Sequence, residues 1–177
     1  MNSRSRGSWW VRGNVIGLDI SFGDTIWPAP QRIDIPRVLN NDPSPPISIL
    51  GYPLVMIVAE KVVTMIQRGE ANTRWRDFAD VAVISARHSM SGVELMAALD
   101  VVAAHRRVLL EPLGQALVGM PILAQPKWVL WRSHQEHRDA IPELFVDALN
   151  RTASFIDPVV GATALDRNWD PTVGLWR

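Results

Sequence analysis

One lysine carries the strongest chemical signal in this sequence. Lys61 stands three residues after Val58 and four before Met65, so helical spacing places it on an otherwise apolar face. Burying an ammonium group without a partner is costly, because the low-dielectric interior replaces its hydration. The lysine therefore either rests its stem on the core with its amine in water, or meets a carboxylate or an anionic ligand.

Two aspartates downstream could supply that partner. Asp77 and Asp80 are one helical turn apart near the start of the next predicted helix, where negative charge is favoured. They could reach Lys61 or a metal ion. The segment 66–76 between the two helices has a local charge of +2, from Arg68, Arg74 and Arg76 against Glu70. This balance suits phosphate groups, although charged residues in a loop are also typical of a solvated surface.

A small β portion followed by a helical body must position these residues. The segments 15–22 and 33–38 have strand composition, with Pro36 placing the second at an edge. The turn-rich segment 40–46 predicts a linker, so we expect one unit over residues 1–46 and a helical domain over 47–177. The expected fold class is α+β with about five helices. Spacing and capping residues place them at about 52–68, 73–87, 91–107, 127–138 and 142–156.

Composition excludes several classes of protein. The chain has 177 residues, of which 47% are apolar and 20% charged, which is typical of one globular domain and not of a disordered chain. Eighteen basic and eighteen acidic residues cancel, so attraction to nucleic acid requires a local patch. The absence of cysteine excludes disulfides and thiolate chemistry and favours the cytoplasm. No apolar run reaches the roughly 20 residues of a membrane span, so no membrane partner is expected.

Two further patterns have plain structural interpretations. His134 and His137 are spaced i, i+3, and we interpret them as a solvent-facing pair, because they form no known zinc signature. Trp128 and Trp131 have the same spacing beside basic residues. They could stack on RNA bases, but core packing is the favoured interpretation.

The chain resembles the AbiEii/AbiGii family of nucleotidyltransferase toxins. The resemblance is carried by Tyr52–Lys61 (YPLVMIVAEK) and Arg68–Asp80 (RGEANTRWRDFAD), which are similar in order and spacing to the family's "AEK" and "G-x-A-N-[ST]-R-x-[KR]-D" elements. Upstream, Leu18–Asp24, Trp27-Pro28 and the segment 35–39 resemble its strand, "GD" and proline elements. The similarity covers residues 15 to 87.

This resemblance implies a polymerase-β-like nucleotidyltransferase sheet followed by a helical domain. It also implies a toxin of a bacterial toxin–antitoxin or phage-defence system, which transfers a nucleotide from an NTP, with Mg²⁺, to RNA such as a tRNA acceptor end. A cognate antitoxin is a further implied partner. Phosphoryl transfer of this kind depends on positioning and charge neutralisation, which agrees with the mixture of Asp, Lys and Arg.

Residue roles follow by position. Lys61 matches the lysine that binds the NTP phosphates, and Asp77 matches an acidic residue required for activity. Asp80 is a further member of that motif, and Arg68 and Arg76 are expected to contribute to nucleotide binding. Asp19 matches a core carboxylate that acts as a base or metal ligand.

The sequence departs from the family at its first motif. Members have Gly-Ser before a strand that ends in Asp-x-Asp, whose two carboxylates point the same way and can hold Mg²⁺. Here Gly7-Ser8 is followed by Asp19-x-Ser21, with serine in place of the second aspartate. We therefore expect a truncated member with impaired catalysis. The alternative function is a remnant that acts as a protein-binding or structural module.

Overall fold

The computed structural model describes residues 25–35 and 45–177, and within them it has an α+β architecture. The strands are β1 (Gln31–Ile35), β2 (Ile47–Gly51), β3 (Met90–Ser91), β4 (Asn168–Asp170) and β5 (Leu175–Trp176). The α-helices are α1 (Leu54–Arg68), α2 (Trp75–Ser85), α3 (Gly92–Arg106), α4 (Leu113–Ala116), α5 (Met120–Ser133) and α6 (Phe145–Val160). The predicted fold class is confirmed.

The first two strands form an antiparallel hairpin. Ile33 pairs with Ile49 and Ile35 with Ile47, and these isoleucines are all exposed. The second strand was not predicted, because it directly follows the turn-rich segment. The hairpin spans position 46, at which the sequence places a domain boundary, and that boundary stays a prediction. The predicted strand at 15–22, residues 36–38 of the next one and most of the linker lie outside the described residues.

Helix α1 lies at the centre of the core and packs on α2 and α3. Its fully buried residues include Met56, Val58, Val62 and Met65, so the buried face is wider than the predicted stripe. Helical spacing also predicts Ile57 on this apolar face, but Ile57 is only partly buried, which corrects that expectation. No helix among the described residues combines the length and apolar character that crossing a membrane requires.

The strands β3, β4 and β5 form a second, three-stranded sheet. The order is β3-β4-β5, and all pairs are antiparallel. Gly92 begins α3 directly beside this sheet, with its N–H bonded to the Arg167 carbonyl at 2.9 Å. A Cβ at this position would stand 1.9 Å from the Ala164 carbonyl oxygen, so only glycine permits the approach. The sequence predicted turns alone for this tail, because pairing over some 80 residues leaves little local signal.

Two helix predictions need correction at their ends, and one helix was not predicted. Helix α5 begins seven residues earlier than predicted and ends five earlier, with Pro121 in the first turn, where no N–H is needed. Pro126 stands inside it on the exposed side, where water can solvate the carbonyl that loses its partner. Helix α6 begins at Phe145 and continues past Pro158. The four-residue helix α4 was missed.

Candidate functional site

Lys61 is held by two carboxylates from the next helix. Its Nζ donates hydrogen bonds to Asp80 Oδ2 at 2.7 Å and to Asp77 Oδ1 at 3.2 Å. Only 20% of the lysine side chain is exposed. Of the two possibilities that the sequence left open, the described structure shows the partnered amine and not the amine free in water.

The two aspartates differ in environment. The Asp77 side chain is 4% exposed, whereas that of Asp80 is 38% exposed. The second oxygen of Asp77 lies 2.9 Å from Arg74 Nε as an ion pair, although their orientation does not make a hydrogen bond. Asp77 is therefore a buried link between two cations, and Asp80 holds the lysine from the solvent side.

The turn before α2 sets this arrangement. Asn72 is buried and its Oδ1 accepts the backbone N–H of Arg74 at 2.8 Å. This residue therefore shapes the turn, although Asn72 and Thr73 have the residue types of a helix cap. The helix begins at Trp75, which places Asp77 in its first turn. Helical spacing then carries Asp80 to the same side as Asp77, facing Lys61 on α1.

Lys61 and Asp80 open into a cavity of about 490 Å³, within the volume range of small-molecule sites. One wall comes from α1 and α2, with Arg76 near one end of α2 and Arg87 just beyond the other. The opposite wall comes from the end of α5 and the turn that follows it, and includes Trp131. Eleven residues of helix correspond to roughly 16 Å, so the two arginines are well separated along this wall.

The cations in and beside the cavity are of two kinds. Lys61 and Arg74 are matched in charge by Asp77 and Asp80. Arg76 and Arg87 have no ion pair within the described part of the chain, so they supply the uncompensated positive charge. Such guanidinium groups are suited to phosphate oxygens.

The structure brings together some of the predicted site residues and not others. Lys61, Asp77 and Asp80 meet directly, and Arg76 lines the same cavity. Arg68 is exposed at the end of α1 and does not line this cavity. Asp19 lies outside the described residues. The roles of all six residues remain predictions.

Sequence reasoning missed part of the site. Arg87 follows Arg76, Asp80 and Ile84 along one side of α2 at helical intervals, and that periodicity could have identified it. Trp128 is fully buried, which confirms core packing, whereas Trp131 is partly buried and lines the cavity. No sequence signal placed the end of α5 opposite α2, because that contact depends on how the helices pack.

The described residues do not by themselves form a metal site. Over residues 25–35 and 45–177, no group of three or more potential metal-ligating side chains is found. Asp77 has its oxygens beside Lys61 and Arg74, and one oxygen of Asp80 is bonded to Lys61. Their contacts are those of carboxylates that hold cationic side chains in place.

Asp77 is expected to matter more for stability than Asp80. Asp77→Asn removes the charge that holds two cations at a buried position, and we expect it to lower the free energy of unfolding by about 3 kcal/mol. Asp80→Asn removes a partly exposed partner and should cost less than about 1 kcal/mol. Urea unfolding of both variants measures the difference. Equal losses of unfolding free energy in the two variants would show that the difference in burial between the two aspartates does not determine their contribution to stability.

The fold and the site together define an α+β protein with a lysine–carboxylate cluster at a cavity suited to phosphates. The family model described as "Nucleotidyl transferase AbiEii toxin, Type IV TA system" matches residues 9–164, and the chain belongs to this family. The family is described as one of nucleotidyltransferase toxins of type IV toxin–antitoxin systems, which implies an NTP substrate and an antitoxin partner. Such nucleotidyltransferases generally use a divalent metal with the NTP. No curated protein and no solved structure gave a significant match.

Proposed function

We propose that this chain transfers a nucleotide from a Mg²⁺–NTP to the acceptor end of tRNA in the bacterial cytoplasm. The observation that carries the proposal is the convergence of Asp77 and Asp80 on Lys61 at the cavity. These two carboxylates fix the position of the Lys61 ammonium group beside a cavity that is large enough for a nucleotide. Preorganised positive charge of this kind stabilises phosphates as charge redistributes during transfer.

Each residue has a part in this proposal. Lys61 binds the NTP phosphates, and Asp77, locked between Lys61 and Arg74, positions the amine. Asp80 also bonds the Lys61 amine, from the exposed side. A bound phosphate can therefore replace part of the contact between Asp80 and Lys61, and the Asp80 carboxylate then stays solvated. Arg76, and Arg68 from the end of α1, add positive charge for the phosphates. Asp19 is proposed as the base or metal ligand, and no step is derived from it.

Arg76 and Arg87, which have no ion pair within the described residues, favour RNA as the acceptor. Arg76 lies in the first turn of α2 and Arg87 just beyond its last residue, and eleven residues correspond to roughly 16 Å of helical rise along the backbone, further than the phosphates of one triphosphate extend. Between them the wall has apolar side chains, including Val83 and Ile84. A single strand offers both separated phosphates and bases that pack on apolar surfaces.

The test is incorporation of labelled NTP into total tRNA by the full chain with Mg²⁺, with each of the four NTPs in turn. We expect labelled tRNA with at least one NTP, and none when the tRNA lacks its 3′ end. Labelling of another RNA class instead would overturn the choice of tRNA, and no labelling with any NTP would overturn the enzymatic proposal.

The second candidate is the non-catalytic module, which would act by contact with the antitoxin. It is favoured by an apolar stripe on the outer face of α5, where Ile122, Leu123 and Leu130 are 85%, 65% and 64% exposed. Exposed apolar patches mark interaction sites. Binding of the antitoxin by a chain that incorporates no NTP would favour this candidate over the enzyme.

A further inference from the structure

Two histidines lie on the cavity wall that faces α2. His134 follows the last residue of α5, and His137 lies in the turn after it. Both side chains are exposed, as the sequence predicted for a solvent-facing pair, but both also line the cavity that Lys61 and Asp80 share. They are therefore placed to meet a ligand bound there.

The contacts of His134 decide which nitrogen is available. Its Nδ1 lies 2.8 Å from the Leu130 carbonyl oxygen. Because a carbonyl oxygen can only accept, Nδ1 carries a proton in this contact, and Nε2 is the atom that gains or loses one. No hydrogen bond or ion pair engages the His137 ring within the described residues. Both rings can become imidazolium without breaking an existing contact.

The surrounding charges favour an anion on this wall. The cations that line the cavity are Lys61 from α1 with Arg76 and Arg87 from α2, and the carboxylates are Asp80 from α2 and Glu136 from the histidines' own turn. With neutral histidines these groups leave one net positive charge. With both histidines protonated the net charge is +3, so the protonated wall attracts an anion more strongly.

We propose that His134 and His137, with Arg87, form a second phosphate-binding locus that binds most strongly when the histidines are protonated. The inference rests on the proposed function, which places the first phosphate contact at Lys61. The ligand chemistry is a phosphate oxyanion, which either an NTP or an RNA phosphodiester supplies. Affinity for the oxyanion is higher at a pH at which the rings carry protons, because each imidazolium adds a positive charge to the wall.

Calorimetry of the full chain tests this locus with two probes. The probes are inorganic triphosphate and a short single-stranded RNA that ends in CCA, titrated at about pH 5.5 and about pH 8. We expect the unmodified chain to bind at least one probe about tenfold more tightly at the lower pH, and His134→Gln/His137→Gln to lose this gain. Protonation of the triphosphate itself also changes with pH, but it affects the unmodified chain and the double variant equally. It therefore does not contribute to the difference between them.

The outcomes separate the two proposals. An equal change with pH in the unmodified chain and the double variant overturns the histidine locus. A gain with triphosphate alone identifies NTP phosphates as its ligand, and a gain with the oligonucleotide alone identifies RNA. If Lys61→Met leaves binding unchanged at both pH values while the double variant still loses its pH response, the role of Lys61 fails and the histidine locus stands.

His105→Gln is the matched control. His105 is exposed near the end of α3 and does not line the cavity, so this variant should keep the full pH response. Loss of the response in this control would show that general surface charge, and not the cavity wall, causes it, and would overturn the locus.

Discussion

Lys61→Ala is expected to lower the rate of nucleotide transfer by about 100- to 1,000-fold, as the loss of one preorganised transition-state donor does. The reason is that Asp77 and Asp80 orient this amine toward the cavity, and no other described residue offers an ammonium group there. Binding of NTP with Mg²⁺ should weaken as well. Initial rates of NTP incorporation and calorimetry of NTP binding measure the two effects.

Lys127→Ala is the control for this experiment. Lys127 is the other lysine of the chain, it is exposed on α5, and it does not line the cavity, so its loss should change neither rate nor binding. Lys61→Arg separates charge from geometry, because the guanidinium keeps the charge but not the compact shape of the amine. Unchanged NTP binding in Lys61→Ala would contradict the assigned role.

Substitution of Lys61 should also lower the free energy of unfolding. Asp77 would keep Arg74 as its partner, so its buried charge is not left alone. The loss of stability should therefore be smaller than for Asp77→Asn. Comparison of both variants by urea unfolding distinguishes a folded, inactive protein from an unfolded one.

Trp128→Ala is expected to lower the free energy of unfolding by about 3 to 5 kcal/mol, the usual cost of deleting a large aromatic side chain from a core. Trp128 is fully buried, its ring meets Phe145 edge-on at 5.4 Å, and its Nε1 donates to the Pro142 carbonyl at 3.1 Å. The substitution would leave a cavity between α5 and α6 and an unpaired carbonyl.

Val129→Ala is the matched control for this prediction. Val129 is the next residue of α5 and is 50% exposed, so its truncation should change stability by less than about 0.5 kcal/mol. Urea unfolding of both variants measures the contrast. A loss below about 1 kcal/mol in Trp128→Ala would contradict the placement of this ring in the core.

Local signals predicted some elements well and others poorly. Helices α1, α2 and α3 were placed within about two residues, because Pro53, Gly69 and Ser91 mark their ends. Ser91 is the residue before α3 and makes no side-chain cap bond, and the N–H of Gly92 donates to the Arg167 carbonyl. Helix α5 was misplaced because two prolines obscured its first half. The strands β4 and β5 were missed because they have only three and two residues, and β4 also depends on pairing with the distant β3.

In the candidate site, too, local sequence signals predicted some features and helix packing decided the others. The spacing of Asp77 and Asp80 predicted a shared helix face, and the apolar neighbours of Lys61 predicted that it needs a partner. Their meeting required the turn at Asn72 to bring α2 back against α1. The opposite wall, with Trp131 and both histidines, required α5 to pack through Trp128 and Phe145.

The amino-acid sequence alone determined the α+β class, the three helices whose periodicity and end residues agree, and the family to which the motif residues point. These are properties of short segments, in which each residue acts on neighbours a few positions away. Only the tertiary structure decided that the amine of Lys61 is held by two carboxylates and faces a wall of histidines. The first contact joins consecutive helices through the turn between them, and the histidines come from the end of α5, much later in the chain. Both depend on how the buried side chains pack.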